Sequence, residues 1–484
     1  MRKSQVVILL ICTMLITSFG TYFGIQLTAN DDKKQEQRNR EGAIFHPSPT
    51  AEELDLAKIQ KAYELIKESY VEDVEPKKLI EGAVEGMLAS LEDPYSVYMN
   101  QEKAEQFKNT LDSSFEGIGA EVTEMDGKII IVAPFKNSPA EKSGLKPYDE
   151  IVSVDGEDVT GLDVYEVTLK IRGEKGTKVQ LGIVREGVKE PLTIEVVRDT
   201  IPIETVFSKV FENDNKKIGY IEITSFSRDT SKDFKEQLAE LEKQEIDGLI
   251  IDVRGNPGGL LTSVEEIASE FVSDEKPILQ IENRDKGREK IFSKSKEKKS
   301  YPVAVLTDRG SASASEILAA ALKEAEGYPI IGERTFGKGT VQQQIELEDK
   351  SNIKLTMYKW LTPDGNWIHQ KGIEPDVPVE QADLYELHPL QVDEPLHVDM
   401  NNEQVKYAQL ILKNLGLEPG RVDGYFNETT EAAVRLFQEE NDLPVTGRID
   451  EKTANAMEEK IREKQENVKN DRQLQMALKY FEYN

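Results

Sequence analysis

At Ser114 the chain leaves helical spacing for short β-branched runs broken by glycine, and this change does most to constrain the architecture. Before it, Ile59, Ala62, Tyr63, Ile66 and Tyr70 fall at i, i+3, i+4, i+7 and i+11 and give one apolar helical stripe. A second helical stretch, residues 80–91, stops at Asp93-Pro94. This arm packs on its own core or forms a homodimer, and both readings stay open. After Ser114, residues 117–122 read as a glycine-rich turn running into a strand, 128–133 and 179–185 as strands, and 149–156 as a strand and turn. An α/β segment follows, with strands at 216–223, 249–253, 303–306 and 329–332 and helices at 232–244 and from the serine turn to about Glu326.

A chain of 484 residues is too long for one core. The expected division is 1–29 signal anchor, 30–50 flexible tether, 51–112 helical arm, 113–200 β-rich domain, 201–380 α/β core, 381–400 linker, 401–465 small helical domain and 466–484 C-terminal helix. Val6 to Leu27 is nearly free of charge, and Arg2 and Lys3 precede it. That pattern predicts a membrane anchor with the remainder outside the cytoplasm, or a secreted protein if the segment is cleaved. The sole cysteine, Cys12, lies inside that segment, so the rest of the chain has no disulfide. A net charge of −29 argues against a nucleic-acid partner.

Two motifs carry chemistry. Gly310-Ser311-Ala312-Ser313-Ala314-Ser315-Glu316 puts a small hydroxyl residue on a tight turn at the mouth of a helix. Phe336-Gly337-Lys338-Gly339-Thr340-Val341-Gln342 isolates a lysine between two glycines. A serine and a lysine brought together make a nucleophile and a base without histidine. At the helix start the dipole favours a developing alkoxide at Ser313, whereas Ser315 reads as the plain N-cap and Ser311 as a structural serine. A base needs a neutral amine, and burial favours one. Phe336 and the flanking glycines argue that Lys338 is partly buried. If residues 340–347 are extended, Lys338 and Gln342 share a face, and Gln342 orients the amine without adding charge. Arg254-Gly255-Asn256-Pro257-Gly258-Gly259, after a buried-type strand, offers backbone amides of the kind an oxyanion hole requires. His46, His369, His388 and His397 lie outside residues 114–360 and have no relay partner in sequence.

Ser138-Pro139-Ala140, Gly144-Leu145, Asp149-Glu150-Ile151 and Val154-Asp155-Gly156 together resemble a PDZ domain. On that resemblance Gly117, Ile118, Gly119 and Ala120 hold a peptide's terminal carboxylate and add its strand to the sheet edge. With Asp93-Pro94-Tyr95-Ser96, residues 252–259, 310–316 and 335–344, and Gly372-Ile373-Glu374-Pro375-Asp376, residues 54–379 resemble the carboxyl-terminal processing proteases, exported serine–lysine peptidases of the tail-specific type. The resemblance implies a multidomain α/β fold, with a PDZ domain set into an α/β core beside a smaller β-region. It implies Ser313 as nucleophile, Lys338 as general base and Gln342 as the residue that positions the lysine. Backbone amides of Ala314 and of Gly258 or Gly259 would form the oxyanion hole, with no cofactor and no metal. The implied substrates are polypeptides with free, apolar C-termini. Arg172, where a PDZ helix ends, either carries a ligand-dependent contact to the core or is a solvated surface residue.

Beyond the linker is an internal repeat: Val422-Asp423-Gly424 with Thr430, then Val445-Thr446-Gly447 with Thr453. It resembles a peptidoglycan-binding-like domain, which implies attachment near the cell wall; a helical module for packing or dimerisation is the alternative. Two classes of function therefore stand: a serine endopeptidase that reads C-terminal tails, and a non-enzymatic wall-associated PDZ scaffold. A histidine-based hydrolase is a distant third.

Overall fold

A computed structural model describes residues 51–483, apart from 126, 136, 186, 187, 189, 214, 215, 296, 297, 388, 389, 391 and 393. The N-terminal arm holds α1 (Ala51–Ser69), α2 (Pro76–Ala89), β1 (Val97–Met99) and α3 (Gln101–Leu111). The β-rich domain runs through β2 (Ser114–Gly117), β3 (Ala120–Met125), β4 (Lys128–Pro134), α4 (Pro139–Lys142), β5 (Glu150–Val154), β6 (Glu157–Asp158), α5 (Val164–Ile171), β7 (Lys178–Val184), β8 (Leu192–Val197) and β9 (Asp199–Pro202). Its sheet has the order β3-β4-β5-β7-β8, so β3 is an edge strand available for pairing. Alternate residues of these strands, among them Ile129, Ile131, Val179, Leu181 and Ile183, fill one core with Val167 and Ile171 of α5.

The larger domain follows: β10 (Val206–Asn213), β11 (Lys216–Ile223), α6 (Thr230–Glu242), β12 (Gly248–Asp252), α7 (Leu261–Ala268), β13 (Pro277–Glu282), β14 (Arg288–Phe292), β15 (Val303–Thr307), α8 (Ala314–Ala320), β16 (Ile330–Gly332), β17 (Thr340–Glu346), β18 (Asn352–Leu361) and β19 (Val377–Pro378). The central sheet has the order β10-β11-β12-β15-β16-β19 and is parallel from β11 onward. A parallel sheet is buried on both faces, and here the period of two divides each strand between two cores. Leu249, Ile251, Val303 and Val305 face α6, α7 and α8. Ile250, Ala304 and Leu306 face the opposite way. A smaller antiparallel sheet, β1-β18-β13-β14 with β17 on β18, joins the arm to this domain.

The second face of the central sheet is covered from the far end of the chain. After α9 (Glu403–Leu415), α10 (Glu428–Glu440) and α11 (Glu451–Glu466) comes α12 (Arg472–Tyr483). Its Leu474, Ala477, Leu478 and Phe481 complete the core around Ile250 and Leu306. The three-helix domain is thus inserted between the α/β core and that core's last helix. Its repeat has a physical cause. Gln409 Oε1 accepts Gly424 N while its Nε2 donates to Tyr425 O and Thr430 Oγ1; Gln438 does the same for Gly447, Arg448 and Thr453.

One expectation is corrected. The membrane-anchored localisation does not stand: among the described residues no helix is long and apolar enough to cross a membrane. The 19-residue α1 is long enough, but it carries charges such as Lys58, Lys61 and Glu64 along its course. Val6 to Leu27, on which the expectation rested, lies outside the described residues.

Candidate active site

β15 ends at Thr307, and a tight turn leads into α8. Asp308 Oδ1 organises the turn by accepting Gly310 N at 2.9 Å, Ser311 N at 3.0 Å and, from the loop after β12, Gly255 N at 2.9 Å. Asn256 O accepts Ala312 N at 3.0 Å and Ser315 Oγ at 2.8 Å. Ser311 Oγ donates to Val253 O at 2.8 Å. The two loops are therefore laced together, and Ser313 is held between them at φ 55°, ψ −108°. Few residues with a side chain adopt that conformation, and holding one there costs ~1–3 kcal/mol, which the surrounding bonds must offset. Ser313 directly precedes α8. Ser315, expected as the plain N-cap, is the second residue of that helix, and its hydroxyl is spent on the neighbouring loop.

The residue that joins the two motifs is Glu316, to which the sequence reading gave no role. Its Oε2 accepts Ser313 N at 2.8 Å and Lys338 N at 2.7 Å. Its Oε1 accepts Thr335 Oγ1 at 2.6 Å and Gly337 N at 2.7 Å. All four partners are donors, so they bond the ionised carboxylate. Burial pushes its pKa up and the four bonds oppose that shift. The signal available in sequence was a glutamate three residues into a helix, which reads as ordinary capping.

Lys338 is fully buried. Its carbonyl accepts Trp360 Nε1 at 2.7 Å, and its Nζ lies 4.2 Å from the Tyr95 ring centroid. Phe336, expected to bury the lysine, is itself half-exposed; Trp360, Tyr95 and the Glu316 carboxylate enclose the lysine loop instead. Gln342 is also fully buried, and its Nε2 donates to Thr340 Oγ1 and Thr356 Oγ1, each at 3.0 Å. The alternation used to align Lys338 with Gln342 is broken by a bulge between Val341 and Gln342.

In the glycine loop, a Cβ on Gly258 would sit 3.1 Å from Ala314 N, 3.1 Å from Ser313 Cβ and 2.9 Å from Ala312 O, at φ 109°. Only glycine leaves that space open. Gly258 N itself donates to Asn256 Oδ1 at 2.8 Å. Gly259 faces Phe226 through a bridge that uses Gly258 O and Leu260 N, leaving Gly259 N out of that pairing.

His369 is the second residue the sequence reading set aside. Its ring stacks on Trp367 at 5.2 Å, meets Tyr95 edge-on at 6.4 Å, and its Nδ1 accepts Gly339 N at 3.4 Å. Burial lowers its pKa, and the nearby Lys338 and Lys359 add to that against the opposing pull of Asp93. A cavity of ≈ 780 Å³ opens beside these groups, lined in part by Tyr95, Thr340, Thr356, Trp367 and His369.

In the β-rich domain Ile118 is buried, with its carbonyl accepting Ala140 N, and Gly119 O accepts Phe135 N. Gly117 and Ala120 flank them where β2 passes into the edge strand β3. Arg172 ends α5 with its guanidinium 4.8 Å from the Phe115 ring centroid. This places it against β2, beside Gly117.

Comparison with known proteins gives four family matches: peptidase family S41 over residues 217–379, a PDZ domain over 117–196, the activating protease CtpB N-terminal domain over 14–103, and a peptidoglycan binding domain over 401–457. The chain is 53% identical over 469 residues to carboxy-terminal processing protease CtpB of Bacillus subtilis, covering 96% of each chain. It is 44% identical over 421 residues to carboxy-terminal processing protease CtpA of the same organism, covering 87% of this chain and 89% of the relative. Among solved structures, the photosystem II D1 C-terminal processing protease is 28% identical with a TM-score of 0.41, covering 68% of this chain and 94% of that one.

Proposed function

The chain belongs to peptidase family S41, the carboxy-terminal processing proteases, and is a serine-type peptidase that carries a PDZ domain; on that premise we propose that Ser313 is its nucleophile and Lys338 its general base. The observation that carries this reading is the single Glu316 carboxylate that takes both the Ser313 and the Lys338 amides, fixing the serine turn and the lysine loop to one another. The neutral Lys338 amine takes the Ser313 hydroxyl proton as Oγ attacks the scissile carbonyl, then passes it to the leaving amine. Gln342 steadies the lysine. Ala314 N, with Gly259 N, receives the oxyanion, since Gly258 N is engaged by Asn256. Water then hydrolyses the acyl-enzyme.

We infer further that the PDZ edge strand at Gly117–Ala120 receives the substrate's apolar C-terminal tail. Arg172, at the end of α5 and against Phe115, would carry that occupancy toward the core. The peptidoglycan-binding domain would hold the enzyme near the wall. The non-enzymatic scaffold finds no favour in these similarities. The test is cleavage of one unstructured polypeptide with its C-terminal carboxylate free or amidated, alongside labelling of Ser313 by a serine-directed probe. Cleavage weakened by amidation, with Ser313 labelled, supports the reading. Labelling elsewhere refutes the nucleophile, and indifference to amidation refutes tail recognition.

A further inference from the structure

Lys338 makes no hydrogen bond to Gln342 Oε1, the acceptor on the residue expected to position it. Its Nζ rests on the face of Tyr95, 4.2 Å from the ring centroid. Tyr95 belongs to the N-terminal arm, in a turn that is firmly pinned. Asp93 accepts Tyr95 N at 3.0 Å and Ser96 Oγ at 2.6 Å, and Ser96 Oγ accepts Thr356 N at 3.0 Å from β18. Meanwhile Gln342 Oε1 is buried without a hydrogen-bond partner among the described residues, although Gln342 Nε2 is doubly engaged. A buried acceptor left unpaired is costly and calls for an explanation.

We propose that Lys338 has two stations: the Tyr95 face, which holds it as an ammonium, and the Gln342 carbonyl oxygen, which receives it as the base, so that Tyr95 of the N-terminal arm restrains the catalytic lysine. The proposal rests on the reading of Lys338 as the general base. An aromatic face attracts the cation and not the neutral amine. On moving, the ammonium gives one proton to water in the adjoining cavity. The amine then donates an N–H to Gln342 Oε1 and keeps its lone pair for the Ser313 hydroxyl.

Other charges face the same space. Asp93 and the Glu316 carboxylate favour the ammonium, Asp93 also attracting Lys354. Lys359, held 4.1 Å over the Trp367 ring, opposes it, as does His369 when protonated. These act in every Tyr95 variant below, and Tyr95→Phe keeps a ring against both Lys338 and His369.

The experiment is the pH dependence of kcat/KM for wild type, Tyr95→Phe, Tyr95→Leu and a protein with pentafluorophenylalanine at position 95, with Lys338→Ala beside them. Pentafluorophenylalanine keeps a ring there but reverses its quadrupole, which covers the case in which Tyr95→Leu fails to fold. Tyr95→Phe should superimpose on wild type. Tyr95→Leu and the fluorinated ring should move the acidic limb down by about one pH unit. At pH 7 that raises kcat/KM by up to about tenfold. Acidic limbs that stay in place, with Lys338→Ala inactive, overturn the restraint but leave the base. Full activity in Lys338→Ala overturns the base and the restraint together.

Discussion

Arg254 and Asp471, 217 residues apart in sequence, form a two-pronged ion pair with N–O distances of 2.9 and 2.8 Å. Arg254 also contacts Asp252, at the end of β12, and Gln473 takes part from α12. The segment that opens α12 is thereby tied to the loop that carries Gly258 and Gly259.

Asp471→Ala should therefore destabilise the core and not merely loosen a tail. Removing one partner of a largely buried pair costs roughly 3–5 kcal/mol. Unfolding by denaturant should show a lower midpoint for this variant. An unchanged midpoint would mean that α12 is dispensable to the core.

Glu316→Gln tests the joint between the two motifs. Glutamine presents one acceptor and one donor where the protein supplies four donors, so its NH2 must face two of them. Each hydrogen bond to a charged group is worth about 1.5–3 kcal/mol. The variant should lose several kcal/mol of stability and at least about tenfold in kcat, with the loss persisting at temperatures where it remains folded. A variant as active as wild type would show that the carboxylate is not what holds the serine and lysine loops in place.

Gly258→Ala and Gly259→Ala should fail differently. A Cβ at 258 enters the space before Ser313 and Ala314 N, where an oxyanion would sit; one at 259 would come within 2.1 Å of Phe226 O. Gly258→Ala should lose some stability, because its backbone sits at φ 109° and the new Cβ comes 2.9 Å from Ala312 O, and while folded it should lose about 10²–10³ in kcat, the usual scale for a spoiled oxyanion hole. Gly259→Ala, with the closer clash, should unfold at a lower temperature still. Circular dichroism melts beside kinetics separate the two, and a melting temperature for Gly259→Ala at or above that of Gly258→Ala would contradict the steric argument.

Glu265, on α7, supplies a pH test away from the site. Burial, then Glu266 and Glu289, push its pKa from 4.5 up to about 7. A carboxyl raised in the folded state favours folding most below its unfolded pKa, and that advantage is lost as pH rises through the folded value. Glu265→Gln should match wild type near pH 4.5 and exceed it above pH 7 by up to about 3 kcal/mol. A difference that does not vary with pH would rule out the buried ionisation.

Much of this fold is legible in the sequence. Strand periodicity located β11, β12 and β15, because apolar β-branched runs between turn residues carry their own signal. The serine turn and the lysine between two glycines stand out as motifs, whereas the roles of Ser313 and Lys338 came from the resemblance to the carboxyl-terminal processing proteases. What escaped was long-range. Glu316 looks like a capping residue until Thr335 and Gly337 fold onto it. His369 has no neighbour in sequence that hints at the lysine loop. The role of α12 depends on a sheet assembled from strands far earlier in the chain, and the bulge at Gln342 leaves no mark in the alternation that it interrupts.

The most direct test of the central claim is kcat/KM on an unstructured polypeptide for wild type, Ser313→Ala, Lys338→Ala and His369→Ala. The serine–lysine account predicts no cleavage by Ser313→Ala, a loss of at least about 10²-fold in Lys338→Ala, and a smaller loss in His369→Ala. Activity that survives Lys338→Ala and vanishes in His369→Ala would contradict it.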